Sequence, residues 1–333
     1  MAKIDRAAEP SRHLALPEWF RNSAQTYSAL AALLLLLLYN ALFTPNFLTA
    51  QTINVNLTQV ATIVIVATGM TLVIATGGID LSVGSLMAIS GALAPIIFLG
   101  KIVPVSPALG NILAVIVPIL VAGLFGLFNG VLVTTFRIQP IIATLVLFIA
   151  GRGIAQVVTN GNLQAFKNPG FQYIGLGRPL GIPFQAILMV LIVVLVAWVM
   201  RTTTFGRYVL ATGGNEAAAR LAGVPVNRVK RSVYVISGLL CGLAGLIVIA
   251  INSSSDANLV GLNMELSAIA ATAVGGTPLT GGRATIVGTL LGALIIQLIG
   301  FTLLSKGVPF AVAQVINASI ILVAVYIQRQ RQS

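Results

Sequence analysis

Long apolar runs separated by short polar stretches recur from about residue 27 to residue 327. Most of these runs approach the ~20 residues that a helix needs to cross the hydrocarbon core of a bilayer. Lipid, rather than a buried core, must therefore cover most of the apolar surface. The pattern predicts an all-α fold, a polytopic transmembrane helix bundle of about ten spans. The predicted spans are 27–44, 54–76, 80–100, 110–135, 138–158, 184–200, 232–252, 264–280, 284–304 and 309–327.

Composition supports a membrane protein and argues against other classes. Of the 333 residues, 57% are hydrophobic and 8% are charged, whereas a soluble domain carries about 25% charged residues. A net charge of +12 would suggest nucleic-acid binding in a soluble protein, but lysine and arginine also collect on the cytoplasmic loops of membrane proteins. We therefore predict that the chain lies in a lipid bilayer and binds no nucleic acid.

The basic residues also predict an orientation. With ten spans and the N-terminus inside, 14 of the 19 lysines and arginines lie on the cytoplasmic side, and Arg152 lies within a span. Such a bias predicts that both termini are cytoplasmic. An odd number of spans would place the basic loop 201–231 and the basic C-terminus on opposite faces, so the even count is favoured. The four basic residues left outside are Lys101, Lys167, Arg178 and Lys306.

Two further features concern how the spans are built. Segment 264–280 is short and glycine-rich, so the sequence leaves open whether it crosses the membrane fully. Three pairs of glycines, each four residues apart, place two glycines on one helical face, where a neighbouring backbone can approach closely. The pairs are Gly126 and Gly130, Gly238 and Gly242, and Gly288 and Gly292.

The loop 201–231 contains the pattern of a short capped helix. Asn215 is a good N-cap, Glu216 suits the positive end of the helix dipole, and Gly223 suits the left-handed position after the last turn. Pro225 then starts a second helix that runs into the next span. The alanines at 217–219 give the short helix a smooth surface, as a docking site for a soluble partner would need. The alternative is an ordinary loop whose basic residues only anchor the topology.

Three stretches of the chain resemble one family. Residues 214–223 resemble the coupling segment of ABC importer permeases, whose Glu-Ala-Ala…Gly pattern seats in a cleft of the ATPase. The glycine follows the glutamate by seven residues, which is similar to the ribose-type branch of sugar permeases. Residues 76–84 (TGGIDLSVG) and 273–283 (AVGGTPLTGGR) resemble the same branch. Together the resemblance covers about residues 45 to 327.

The resemblance implies a membrane-spanning permease subunit of an ATP-binding-cassette importer, in the bacterial inner membrane, that translocates a monosaccharide. The implied partners are a cytoplasmic ATPase subunit, a periplasmic sugar-binding protein and a second permease chain, identical or related. ATP and Mg would bind to the ATPase, because this chain has no G-x-x-x-x-G-K-[ST] phosphate loop. No cofactor is expected in the chain itself.

The same resemblance implies a domain organisation and a set of coupling residues. Residues 1–26 form a cytoplasmic N-terminal tail, 27–327 the transmembrane permease domain with its cytoplasmic coupling loop 201–231, and 328–333 a cytoplasmic C-terminal tail. The implied ATPase-coupling residues are Gly213, Gly214, Asn215, Glu216, Ala217, Ala218, Arg220 and Gly223.

Ionisable and amide side chains inside the predicted spans are candidates for the translocation path. Asp80 follows two glycines, so it either caps the third span or faces a substrate cavity at a break in the helix. Glu265 either caps the helix that follows it or lines the path. Asn129 lies mid-span between glycines and either bonds a neighbouring helix or lines the path. Arg152 lies near the outer end of its span, so its side chain either extends to the membrane interface or belongs to the functional site.

Two other functions compete with the importer. An ion-driven carrier or a channel for a small polar solute also places polar groups in mid-span. An intramembrane enzyme would need a nucleophile, base or metal cluster, and the sequence has one histidine, His13, and one cysteine, Cys241. We therefore predict no catalytic residues and no metal site. The polar segments 159–183 and 253–263 are predicted to be external loops, either solvated or in contact with a delivering protein.

Overall fold

The computed structural model describes residues 18–100, 106–309, 311–316 and 318–319, and the chain in these ranges is almost entirely helical. Helix α1 begins at Glu18, nine residues before the predicted first span. The helices are α1 (Glu18–Phe43), α2 (Ala50–Ala75), α3 (Val83–Phe98), α4 (Pro107–Thr134), α5 (Pro140–Thr159), α6 (Pro169–Leu176), α7 (Phe184–Thr202), α8 (Thr204–Gly214), α9 (Glu216–Leu221), α10 (Val226–Asn252), α11 (Met264–Val274) and α12 (Ile286–Ser305).

The prediction of an all-α polytopic bundle is confirmed. Among the described residues, seven helices are long and apolar enough to cross a membrane: α1, α2, α4, α5, α7, α10 and α12. The shorter apolar helices α3 and α11 lie at the third and eighth predicted spans. Most of the tenth predicted span, 309–327, lies outside the described residues, with helical backbone at 311–316 and 318–319. The number of spans and the orientation of the termini stay predictions.

Helices α3 and α11 are too short to span the bilayer because irregular backbone precedes each of them. At about 1.5 Å per residue, α3 is about 24 Å long and α11 about 16 Å, against about 30 Å of hydrocarbon. The first turn of α3, just after the irregular segment 76–82, meets the second irregular segment, 253–263, where Gly84 contacts Gly261. Gly261 has a φ of +71°, and a Cβ on either glycine would overlap the other's backbone.

This contact corrects one sequence-based expectation. Segment 253–263 was predicted to be a polar external loop, but Ser255, Ala257 and Val260 are buried. Gly84 and Gly261 are themselves buried, so their contact lies in the interior of the bundle. The segment is thus partly an internal element, and only residues such as Leu259 and Leu262 stay exposed.

Helices α2 and α10 form the centre of the bundle. In the apolar part of α2, 78% of the residues are buried, and in that of α10 61%, against 17% in α1. Helix α10 packs mainly against α4, α2 and α3, while α2 also contacts α7, α11 and α12. Helices α4, α5 and α7 are 28% buried and present wide apolar faces to their surroundings.

The glycine pairs act as predicted in helix packing. Gly126 of α4 lies against the carbonyl of Tyr234 on α10, and Gly238 of α10 lies against Ala122 on α4. The pair Gly288 and Gly292 of α12 makes equally close contact with α11. Without a Cβ at these positions the helix backbones touch, which is the usual means of association in lipid.

Connecting segments of the chain contact one another at both ends of the bundle. At one end, the backbone N–H of Gly282 donates to the carbonyl of Ala75 at 3.0 Å, so the α11–α12 connection lies beside the end of α2. At the other end, strands β1 (Gln164–Ala165) and β2 (Ser254–Ser255) pair antiparallel. Helix α6 and a 3-10 turn at Pro179–Gly181 complete the connection between α5 and α7.

We expect Gly126→Ala to destabilise the protein, because its Cβ would overlap the Tyr234 carbonyl oxygen. Overpacking of this kind costs about 1–3 kcal/mol. The matched control is Gly153→Ala in α5, where a Cβ would meet no atom within 4 Å. Thermal unfolding in detergent should show a lower Tm for the α4 variant only; equal Tm values would contradict the packing.

Candidate functional site

The loop between α7 and α10 folds into two helices and one sharp turn. Asn215 caps α9, because its side-chain oxygen accepts a hydrogen bond from the N–H of Ala218 at 3.0 Å. Gly223 has a φ of +80°, the left-handed conformation that ends the helix. Helix α10 follows at once and continues through the bundle to Asn252. The predicted capped helix is thus confirmed, whereas α8, which the sequence did not predict, precedes it.

One ion pair and one hydrogen bond fix α9 to the start of α10, and a second ion pair lies within α9. Glu216 accepts hydrogen bonds from Arg220 at 2.7 Å and from Lys230 at 2.5 Å. Arg220 also donates to the side chain of Asn227 at 2.8 Å. Burial disfavours the charged carboxylate, but the hydrogen bonds and positive charges of Lys230 and Arg220 outweigh it and lower the pKa of Glu216. The carboxylate is therefore engaged within the chain.

The other side of α9 is open to a partner. Leu221 is 92% exposed, and Ala217 and Ala218 are exposed beside it. Ala219 is buried and fixes the helix to the rest of the loop. Gly214, the last residue of α8, has open space where a Cβ would lie. An exposed leucine among alanines forms a small apolar surface suited to a cleft on another protein.

Gly213 has a packing position that sequence reasoning did not assign to it. It lies in the last turn of α8, where a Cβ would overlap the carbonyl oxygen of Ala75 at the end of α2. Gly281 approaches both Gly77 and Gly213, and Gly282 donates its N–H to Ala75. We call the backbone contact of 75–77, 213–214 and 281–282 the glycine joint. It connects the loop helices directly to α2, α11 and α12.

Asp80 lies in a buried polar cluster in the first irregular segment. Its carboxylate accepts from the N–H of Ser82 at 3.0 Å, from the hydroxyl of Ser82 at 2.6 Å and from Ser237 of α10 at 3.1 Å. Asn129 of α4 donates to the Ser82 hydroxyl at 2.8 Å. The structure thus brings Asp80 and Asn129 together, and both are fully buried.

The cluster changes how these residues are understood. Asp80 bonds the N–H of Ser82, the residue before α3, rather than an N–H inside the helix. Sequence reasoning missed Ser82 and Ser237 as its partners. A signal was present for Ser237, since a hydroxyl beside Gly238 in an apolar run is typical of a helix–helix contact in membranes.

Glu265 lies apart from this cluster, in the first turn of α11. It is 7% exposed, and a Cβ on Gly84 would lie 2.8 Å from its Oε2, which has no hydrogen-bond partner among the described residues. The residue before α11, Asn263, has a φ of +61° and makes no side-chain cap. The geometry therefore places Glu265 beside the contact of Gly84 with Gly261.

Arg152 takes a role that the sequence did not suggest. Its guanidinium donates to the carbonyls of Ala257 and Val260 at 2.8 and 2.6 Å. It thus binds the backbone of the second irregular segment instead of pointing only to the membrane interface. Gln156, one turn further along α5, donates to Asn258 at 2.7 Å.

Interrupted helices, buried polar clusters at the interruptions and an ordered loop helix at one end are typical of membrane transport proteins. The chain belongs to the family described as "Branched-chain amino acid transport system / permease component", which matches residues 52–325. It is a multi-pass inner-membrane transport permease. No solved structure matches it.

Several characterised permeases are similar over nearly their whole length. The chain is 42% identical over 309 residues to a ribose import permease of Escherichia coli K12, covering 91% of this chain and 94% of the relative. It is 40% identical to a galactofuranose transporter permease of the same organism, with 91% and 89% covered. It is 36% identical to an L-arabinose ABC transporter permease of Azospirillum brasilense, with 88% and 84% covered.

We expect Ser237→Ala to destabilise the bundle, because Asp80 loses a buried hydrogen-bond donor. An unsatisfied buried acceptor costs about 1–3 kcal/mol. Ser232→Ala on the exposed side of the same helix is the control. Thermal unfolding in detergent measures both, and a Tm for Ser237→Ala equal to that of Ser232→Ala would refute the structural role of the cluster.

Loss of the Glu216 ion pairs should loosen α9 with little change in global stability, since exposed pairs contribute about 0–1 kcal/mol. A spin label on Ala222→Cys can report its mobility, because the native Cys241 is buried. Glu216→Gln should raise the mobility at neutral pH, whereas Arg228→Gln, outside the ion pairs, should not.

The pH dependence follows from the lowered pKa of Glu216. The ion pairs should contribute fully above its ordinary value of 4.5 and weaken as the pH falls through the lower pKa of the folded state. The unsubstituted loop should therefore approach the mobility of Glu216→Gln only in acid. A rise in mobility between pH 7 and 5 would contradict this.

Proposed function

We propose that the chain is the membrane-spanning permease subunit of an ATP-binding-cassette importer that translocates a monosaccharide. The observation that carries this proposal is the similarity to import permeases over about nine-tenths of the chain. These relatives are named for ribose, galactofuranose, fructose and L-arabinose. Their names differ in the sugar, so the proposal extends to monosaccharides as a class. It also favours the importer over an ion-driven carrier or a channel.

In this proposal, α9 is the coupling helix and a separate cytoplasmic ATPase binds ATP and Mg. The exposed face around Leu221 docks into the ATPase, while Glu216 holds α9 on α10. Asn215 and Gly223 fix the two ends of the helix, and both termini of the chain lie on the same cytoplasmic side. A hydrolysis cycle acts only by changing the relative free energies of two arrangements of the bundle.

Two routes can carry a displacement of α9 into the membrane. The first is α10, which begins three residues after Gly223 and reaches the Asp80 cluster through Ser237. The second is the glycine joint, where α8 contacts the end of α2 and the α11–α12 connection. Both routes reach the irregular segment 76–82, so this is the part of the bundle that we expect to rearrange during transport.

The proposed partners on the other side are a periplasmic sugar-binding protein and a second permease chain. The β1–β2 pair joins residues 164–165 to 254–255, and Gln172 bonds Ser253 at 2.5 Å. These contacts join the two connections at this end of the bundle, where the soluble protein would dock. The sparsely buried faces of α4, α5 and α7 leave ample apolar surface for lipid and for the second permease. In this scheme Asp80 and Asn129 support the path from within the core, and Glu265 lies nearer to it.

Substitution of the docking face tests the coupling assignment. Leu221→Asp should leave the fold intact, because the side chain is 92% exposed, but should reduce ATPase co-purification and sugar uptake at least about tenfold. Leu180→Asp is the matched control, since Leu180 is fully exposed on the opposite end of the bundle. If both variants bind the ATPase and transport equally, α9 is not the coupling helix.

A further inference from the structure

A cavity of about 670 Å³ lies between the α4–α5 turn and the start of α9 and α10. The cavity itself has no role in the functions considered above, although two of its lining residues, Glu216 and Arg220, also belong to the implied coupling residues. Its volume is large enough for a polar headgroup or a comparable small ligand. The lining residues on the α4–α5 side include Thr134, Thr135, Arg137 and Pro140, and those on the loop side include Glu216, Arg220, Asn227, Lys230 and Arg231.

The cavity carries an excess of positive charge. Four of its lining residues are basic, Arg137, Arg220, Lys230 and Arg231, and one is acidic, Glu216. We call it the basic cleft. Glu216 is shared by two of these cations, and the salt bridges found in the described part of the chain are both its own. The remaining two cations have no carboxylate partner there.

These two arginines are held at the cleft in different ways. Arg231 donates to the hydroxyls of Thr134 and Thr135, at 2.8 Å each, which orients its guanidinium without neutralising it. Arg137 has a φ of +56° in the tight turn between α4 and α5 and is exposed. Within the described ranges its side chain makes no hydrogen bond or ion pair. An anion that enters the cleft therefore meets two uncompensated guanidinium groups.

The surroundings of the basic cleft favour an amphiphilic anion. Phe136, next to Arg137, is 66% exposed, as an aromatic side chain at a membrane interface commonly is. Along α5, the helix that follows the Arg137 turn, Ile142, Val146 and Ile149 are exposed at helical spacing and form an apolar stripe. An acidic segment of a soluble protein would match the charges but leave this stripe uncovered.

We propose that the basic cleft binds the headgroup of an anionic phospholipid, whose acyl chains lie along the stripe on α5. The phosphate is held by Arg137 and Arg231, the two guanidinium groups of the cleft that have no carboxylate partner among the described residues. Basic pockets between helices at the membrane surface are suited to such headgroups. The site lies beside the docking face, since Glu216 and Arg220 of α9 line the cleft and Leu221 does not, and it does not depend on the proposed function.

The test is a lipid competition on the full-length permease purified in a neutral detergent. Native mass spectrometry in equal amounts of phosphatidylglycerol and phosphatidylcholine, with matched acyl chains, should show preferential retention of phosphatidylglycerol. Arg137→Gln should reduce this preference about fivefold, and Arg137→Gln with Arg231→Gln about fivefold further. Arg228→Gln should leave the lipid preference unchanged, because this exposed arginine of the loop 201–231 does not line the cleft.

Further measurements distinguish a lipid headgroup from a soluble anion and control for misfolding of the variants. A large excess of inorganic phosphate should not displace phosphatidylglycerol; full displacement would make the cleft a site for soluble anions and overturn the proposal. Arg137→Lys should keep the preference, because the charge remains. In the part of the chain that the structure describes, Arg137 has no hydrogen-bond or ion-pair partner to lose, so its single substitution stays informative if the double variant unfolds. Equal lipid preference in Arg137→Gln and Arg228→Gln would also overturn the proposal.

Discussion

Backbone polar groups at membrane depth must find partners within the protein, and this constraint governs the bundle. Two segments, 76–82 and 253–263, interrupt the helical pattern where lipid offers no hydrogen bonds. In the first, Asp80 accepts from the N–H of Ser82, and the Thr144 hydroxyl bonds the N–H of Leu81 at 3.1 Å. In the second, Arg152 donates to two carbonyls. Ionisable side chains thus satisfy backbone groups of both interruptions.

This role explains why charged residues persist inside an otherwise apolar chain. An unpaired charge in the bilayer is costly, but a charge that satisfies several backbone groups removes a comparable cost elsewhere. Asp80 also accepts from Ser237 on α10, so the first interruption is tied to the helix that begins in the loop 201–231. A bundle built in this way can change arrangement at its interruptions while the long helices stay intact.

Glycine makes the same architecture possible at the level of packing. The contact of Gly84 with Gly261, the pairs on α4 and α10, and the glycine joint all place backbone directly against backbone. Such contacts satisfy or shield peptide groups and leave little room for side chains. The loop helix α8 therefore contacts the bundle directly through its backbone, with no flexible side chain between them.

The sequence by itself determined the helical class, the close glycine packing and the capped helix at 216–221. These features depend on local periodicity, on residue spacing along one helix and on a cap that spans four residues. It did not determine that segment 253–263 folds inward, that Arg152 binds it, or that Gly213 packs on Ala75. The partners in those contacts are more than 100 residues apart along the chain. Only the tertiary structure decided them, because chain separation carries no information about which backbone groups meet inside a bilayer.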